Sequence, residues 1–146
     1  MERGLILKKG TIVDSTIISA PSSTKNKEKK RNPDAHQVKK GNTWHFGYKA
    51  HIGVDRDSGL VHTVEATAAN VHDATETSKL LTGDEDEVYG DSGYLGAEKR
   101  GDAIIRNKAG RKIKYRINRR PSQVKKLSKS GQYAAKKAEH AKSSVR

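Results

Sequence analysis

Glu87-Val88-Tyr89-Gly90-Asp91-Ser92-Gly93-Tyr94-Leu95-Gly96 is the stretch that decides how this chain is read. A short apolar run ends in a carboxylate, and glycines and a serine follow before helix-like sequence resumes at Ala97. An α/β protein presents an acid at a strand end in this way. Far upstream a second acid, Asp14, interrupts the apolar run Thr11-Ile12-Val13-Asp14-Ser15-Thr16-Ile17-Ile18. An ionised aspartate inside a strand is costly to bury unless it is paired or bound to a cation. The two acids point to a shared divalent metal, and because 77 positions separate them, only a sheet can bring them together.

Working outward, the pattern predicts a helix over 97–107 carrying Ile104 and Ile105. A strand over 112–118 follows, with Ile113, Tyr115 and Ile117 alternating with lysine and arginine. Pro121 and Ser122 open a region rich in Lys and Ala that reads as helical to Arg146 but holds few apolar residues. A helix that polar needs a partner to be stable. On the other side, residues 82–86 form a loop, and 74–81 read as a helix capped by Asn70 or Asp73. Asn70 and His72 are helix-entry residues on this reading; the alternative is that they orient DNA or a metal-bound water.

The clearest strand is 44–54, where Trp44, Phe46, Tyr48, Ala50, Ile52 and Val54 occupy one face and His45, Gly47, Lys49, His51 and Gly53 the other. Asp55 to Gly59 supplies turn chemistry, and Leu60 to Thr67 returns as the second strand of a hairpin. His45 and His51 share a face, but six residues of strand span about 20 Å, so they cannot chelate one ion together. Strand one covers 11–19, and before it Lys8-Lys9-Gly10 read as the end of a short helix or a turn. Residues 20–43 hold Pro21, Pro33, Gly41 and the basic residues Lys25, Lys27, Lys29, Lys30, Arg31, Lys39 and Lys40. They read as one long polar loop, either simply solvated or tracking a nucleic-acid backbone. The order is β, β-hairpin, α, β, α, β and a final helix, a mixed α/β sheet.

Composition narrows the function. The 146 residues are only 32% hydrophobic, with a mean hydropathy of −0.90 and a net charge of +13. The charge is segregated: residues 1–54 carry 11 basic and 4 acidic side chains, 55–102 carry 4 and 12, and 103–146 carry 15 and 1. An acidic middle between basic arms suits a metal-using enzyme on a polyanion better than a plain basic binding protein, which remains the alternative. Arg119 and Arg120, ahead of the basic tail, join the loop lysines as candidate phosphate contacts. The absence of cysteine excludes disulfides and thiolate metal sites, and no signal-peptide pattern or membrane-length apolar run is present. The expected location is the cytoplasm, at the nucleoid.

Four stretches together carry a more specific resemblance. Gly10 to Ile18, Ala20-Pro21-Ser22-Ser23-Thr24-Lys25-Asn26, Trp44 to Asp55, and Asp91-Ser92-Gly93-Tyr94-Leu95-Gly96, in this order, are similar to the DDE transposases of bacterial insertion sequences, family-five type, within the family-four-like superfamily. The resemblance covers roughly residues 5–145. It implies a ribonuclease-H-like mixed sheet flanked by helices, incomplete, with a long basic loop and a basic helical C-terminal tail. The core would occupy 1–118 and the start of the C-terminal part of the catalytic domain 119–146. It further implies two divalent ions, Mg²⁺ or Mn²⁺, held by two Asp and one Glu, with DNA ends and target as partners and a homo-oligomer as the intact form. Matched by motif, Asp14 is the first acid and Asp91 the second.

The third acid is where the chain departs from the family. The family glutamate lies on a helix, in a Val-Glu-His-like stretch just after a segment resembling Lys136 to Arg146. Glu139-His140 imitates the dipeptide, but Ala141-Lys142 follows it. The expectation is that the true acid is missing, that the family's DNA-binding segment ahead of strand one is missing too, and that the chain alone is inactive. Glu139 as a replacement acid is the alternative.

Overall fold

A computed structural model describes residues 9–143. The expectations for residues 1–8 and for 144–146 lie outside the described residues. Strand β1 (Gly10–Ser19) is rich in β-branched side chains, which favour the pleated backbone. It pairs antiparallel with β3 (Thr43–Asp55) from Thr11↔Asp55 to Ser19↔Gly47. Strand β4 (Val61–Ala68) pairs antiparallel with β3 over the same residues as β1, so β1 and β4 take opposite edges of β3. Strand β5 (Glu87–Gly90) lies parallel to β1, and β6 (Lys114–Ile117) parallel to β5. The order β4-β3-β1-β5-β6, with β3 alone running against the rest, is a ribonuclease-H-like mixed sheet flanked by helices.

Three expectations need correction. Residues 20–43 are not one loop: Ala20 to Ala35 is irregular, but His36–Lys40 forms β2, paired antiparallel with the first residues of β3 across a turn at Gly41 and Asn42. Only Val38 gave β2 an apolar signal; its strand geometry comes from the edge that β3 offers. The helix over 97–107 is absent. A single 3₁₀ turn, Ala97–Lys99, ends before Gly101, and the chain then runs extended into a bridge between Arg106 and Lys112. Gly101 and a lone Ile104-Ile105 pair give no apolar stripe to hold a helix on the sheet. The helix over 74–81 is one α-turn, α1 (Asp73–Glu76), continuing as 3₁₀ to Leu80. Its cap is the His72 side chain, whose Nδ1 accepts from Ala74 N at 3.2 Å, rather than Asn70 or Asp73. The C-terminal region divides into α2 (Pro121–Val124) and α3 (Lys129–Ser143). On α3, Gly131, Ala134, Ala135 and Ala138 face a hollow lined by Tyr115 to Arg119, so its small-residue side meets the end of β6.

The core is Val13, Leu80, Leu81, Val88, Tyr94 and Ile113. It lies against the polar-looking face of β3, where Gly47, His51, Gly53 and Asp55 are buried, while Trp44 on the apolar face is 64% exposed. Gly53 explains the choice, because a Cβ there would stand 2.5 Å from the Leu80 carbonyl, so only glycine lets that segment lie down on the strand.

Glu85 joins β1 to β5. Fully buried, it accepts from Thr11 Oγ1 (3.0 Å), Thr82 N (2.7 Å) and Thr82 Oγ1 (2.9 Å) at Oε1, and from Gly83 N (2.8 Å) at Oε2. Glu85→Gln replaces an acceptor by an amide donor and strands at least one of these groups. It is expected to cost about 2–3 kcal/mol in urea denaturation; an unchanged midpoint would show that the register does not depend on it.

Near the outer edge, Glu87 accepts from the Tyr89 hydroxyl, Arg56 Nη1 (3.0 Å) and Arg116 Nη2 (3.2 Å). The Tyr89 hydrogen bond first, then the arginines, hold its carboxyl below its ordinary value of 4.5 against the opposing effect of burial. A depressed carboxylate stabilises the fold above its unfolded pKa, and that stabilisation is lost as pH falls through the folded one. Glu87→Gln should therefore flatten the fall in melting temperature below about pH 4.5 relative to the parent chain, as followed by circular dichroism.

Candidate functional site

The parallel ladder pairs Gly10 with Glu87, Thr11 with Val88 and Ile12 with Tyr89. Continued two residues past its last pair, this register sets Asp91 beside Asp14, on strands about 4.8 Å apart. The 77 positions between the two acids match the offset of the ladder. Asp14 is half-buried, and its Oδ1 accepts from Ser15 N at 2.9 Å. Asp91 is exposed at the strand end, where its Oδ1 accepts from Gly93 N at 2.8 Å and caps the 3₁₀ turn Ser92–Tyr94.

A third carboxylate, overlooked in the sequence, comes from α1. Asp73 Oδ1 accepts from Lys49 Nζ at 2.9 Å, and Lys49 also donates to Val71 O at 2.8 Å. His51 Nδ1 lies 3.8 Å from the same oxygen. Asp73 Oδ2 turns toward Gly93: a Cβ built there would lie 3.5 Å from it and 3.0 Å from Asp91 Oδ1. In the sequence Asp73 was visible only as a cap, and Lys49 and His51 only as the polar side of a strand. The available signal was that this polar side meets the helix that follows β4.

Tyr94 closes the base of the cluster. Its ring fills the core over Gly90, and its hydroxyl is buried without a well-formed hydrogen bond, although Ser15 is close enough to interact. Burial first, then the charges of Asp73, Asp14 and Asp91, push its pKa far above the ordinary phenol value, so it stays neutral. His51 is completely buried, and burial lowers its pKa against the pull of Asp73 and Glu76. Its Nε2 is paired with the Thr67 hydroxyl at 2.8 Å, and its Nδ1, without a hydrogen-bond partner among the described residues, lies on the side of Asp73.

Among the described residues no group of three His, Asp or Glu side chains closes into a ready-made metal cage. The donors are nonetheless the hard oxygens that Mg²⁺ and Mn²⁺ prefer, and Mg²⁺ is commonly held by one or two carboxylates with water completing the shell. Asp14 and Asp91 fit such an ion. Glu139 is exposed on α3.

The candidate phosphate contacts are all exposed, but they fall into separate groups. Lys25, Lys27, Lys29, Lys30 and Arg31 belong to the segment before β2, where Asn26 ties the backbone of Lys30 (2.6 and 3.1 Å). Arg31 lies over the Phe46 ring and Lys39 over Trp44, with Lys40 next on β2. Arg119 and Arg120 lead into α2. No helix among the described residues is long and apolar enough to cross a membrane.

A ribonuclease-H-like sheet carries Asp14 on its central strand and Asp91 at the end of the neighbouring parallel strand. The family model "Transposase DDE domain" matches residues 6–144, and the chain belongs to that family. Such domains use divalent metal ions, and membership implies DNA as a partner. No solved structure gives a significant match.

Deleting the Tyr94 hydroxyl removes a buried group that is poorly paired and surrounded by negative charge. Tyr94→Phe is therefore expected to change stability by less than about 1 kcal/mol, whereas Tyr94→Ala, which empties the core, should cost about 3–5 kcal/mol. Thermal melting of both variants checks this, and a large loss in Tyr94→Phe would mean that the hydroxyl is well bonded.

Proposed function

We propose that this protein acts in DNA transposition as a bacterial insertion-sequence transposase of the family-five type. It would bind element ends and target DNA through its basic surfaces and hold Mg²⁺ or Mn²⁺ at Asp14 and Asp91. The observation that supports the reading is the β1–β5 register, whose continuation aligns Asp14 with Asp91, the acids of two separate stretches matched by the resemblance. When bound, the ions supply activation of the attacking oxygen and stabilisation of the leaving one in phosphodiester cleavage and strand transfer. The chain's own part is to fix the carboxylates: Ser15 N and Gly93 N each hold one oxygen, and the second oxygen of Asp91 makes no hydrogen bond among the described residues.

Lys25, Lys27, Lys29, Lys30 and Arg31, with Lys39, Lys40, Arg119 and Arg120, contribute phosphate contacts that position DNA without reading its sequence. The core at 1–118 carries the acids and the segment from 119 onward supplies basic helix. With Asp14 and Asp91 as its matched acids and no third one assigned, the chain is expected to bind DNA without cutting it efficiently. The intact form would work as a multimer on paired ends.

Two measurements test this. In fluorescence anisotropy on duplex DNA, log Kobs should fall linearly with log salt. Replacing Lys25, Lys27 and Lys29 together by alanine should reduce the slope by up to about 3, and an unchanged slope would remove this loop from the interface. In a nicking assay with Mg²⁺ or Mn²⁺, little product is expected; strong cleavage abolished by Asp91→Ala would show that the described carboxylates suffice. Cation-independent DNA binding, with no thermal stabilisation by Mn²⁺ in any variant, would favour a purely DNA-binding protein.

A further inference from the structure

We propose that the β2–β3 hairpin is a stacking platform for unpaired DNA bases, with Trp44 as the ring on which a base stacks and Arg31, Lys39 and Lys40 as the cations that hold the adjoining phosphates. The inference rests on the proposed DNA-binding function and adds to it the form of DNA that this surface takes.

The hairpin presents the ring. Strands β2 and β3 pair from His36↔Gly47 to Lys40↔Thr43, and only Gly41 and Asn42 join them. Gly41 has φ 61°, and no described atom lies within 4 Å of the place its Cβ would take, so the turn ends in open space. Trp44 stands beside this tip and is 64% exposed. Tryptophan is on average a well-buried side chain, and here most of the ring is left to water.

The register gives the ring its companions. Trp44 is paired with Lys39 and Phe46 with Gln37, and directly opposite residues share a face. Lys39 Nζ lies 5.9 Å from the centroid of the Trp44 ring, and Arg31 Cζ lies 5.6 Å from that of half-buried Phe46. Two rings two residues apart on one strand face, each with a cation over it, make a surface of alternating π faces and positive charge. Residues 20–46 carry seven lysines and arginines against Glu28 and Asp34. A phosphate backbone with unstacked bases matches both features, because the cations track the backbone and the ring stacks a base of any identity. A duplex satisfies the cations but keeps its bases stacked on one another, so it cannot use the ring.

The same face leads toward the proposed acids. Phe46, Tyr48, Ala50 and Ile52 continue it along β3, and Asp14 is paired with Ile52. Eight residues of strand put Trp44 about 26 Å from that position. The platform therefore holds DNA that flanks the reacting phosphodiester rather than the phosphodiester itself.

Trp44 is the only tryptophan in the chain, so its fluorescence reports on this site alone. The test titrates the full chain with oligothymidylate and with a duplex of the same length, reading Trp44 quenching and, separately, the anisotropy of labelled DNA. Oligothymidylate is expected to quench Trp44, and the duplex to bind with far less quenching. Trp44→Ala and Trp44→Leu should each weaken oligothymidylate binding about fivefold or more while leaving duplex affinity unchanged, and Trp44→Phe should keep most of the affinity. Trp44→Leu retains apolar bulk and carries the test if circular dichroism shows that Trp44→Ala disturbs the fold. If oligothymidylate binds without quenching and Trp44→Leu binds it as the parent does, the platform is overturned and DNA binding through the basic surfaces stands. If raising the protein concentration shifts Trp44 emission to the blue and DNA leaves it unaltered, a second copy of the chain covers the ring and the platform is likewise overturned. If the chain binds neither form of DNA, both readings fall.

Discussion

The parallel register between β1 and β5 is the constraint on which the rest of this structure depends. A parallel pair has no hairpin to set its alignment, and a slip of one residue would move every side chain to the other face. Here the alignment is fixed by a buried carboxylate. Glu85 lies just before β5, and its oxygens gather the Thr11 hydroxyl at the start of β1 and the amides of Thr82 and Gly83 in the loop between. A wrong register would leave those groups unpaired in a dry environment, a penalty of a few kcal/mol set against a small overall stability. The same alignment places Asp91 beside Asp14. The residue that fixes this alignment is thus remote from the two aspartates, and nothing in its own stretch, Thr82-Gly83-Asp84-Glu85-Asp86, marks it apart from the acids around it.

Much of the sheet was legible because strand periodicity survives wherever one face differs from the other. The strict alternation from Trp44 to Val54 identified β3, and the turn at Asp55 to Gly59 its hairpin with β4. Alternation says that two faces exist, not which one the core will choose. On β3 the buried face is the one with histidine, lysine and glycine, because Gly47 and Gly53 permit close backbone approach and His51 reaches the Thr67 hydroxyl. Elements whose support comes from neighbours were harder to see. β2 holds one apolar side chain and borrows its geometry from β3, and the helix expected after Gly96 was lost to Gly101 and to the lack of an apolar stripe.

The candidate site divides along the same line. Asp14 and Asp91 stood out because each breaks or ends an apolar run, a contrast visible within a few residues. Asp73, Lys49 and His51 have no such local signature. Asp73 follows His72 at a helix entrance, where an acid is ordinary, and Lys49 and His51 look like the solvent side of a strand. Their significance arises only when α1 folds back over β3, a tertiary event that no local pattern records.

Lys49 clarifies how such a cluster of carboxylates is tolerated in the fold. Asp14, Asp73 and Asp91 all act on the Tyr94 hydroxyl, so their negative charge is concentrated in a partly buried volume. Uncompensated, that concentration would oppose folding, since charges near an apolar core are poorly solvated and strongly coupled. Lys49 occupies one oxygen of one carboxylate and also donates to the Val71 carbonyl, so it lowers the repulsion at Asp73. The basic residues of the loop, β2 and the tail are spent elsewhere, on exposed positions facing solvent. The charge segregation seen along the sequence therefore has a spatial counterpart. Positive charge lies on the surface, where a phosphate backbone can meet it, and Asp14, Asp73 and Asp91 gather around Tyr94 with Lys49 beside Asp73.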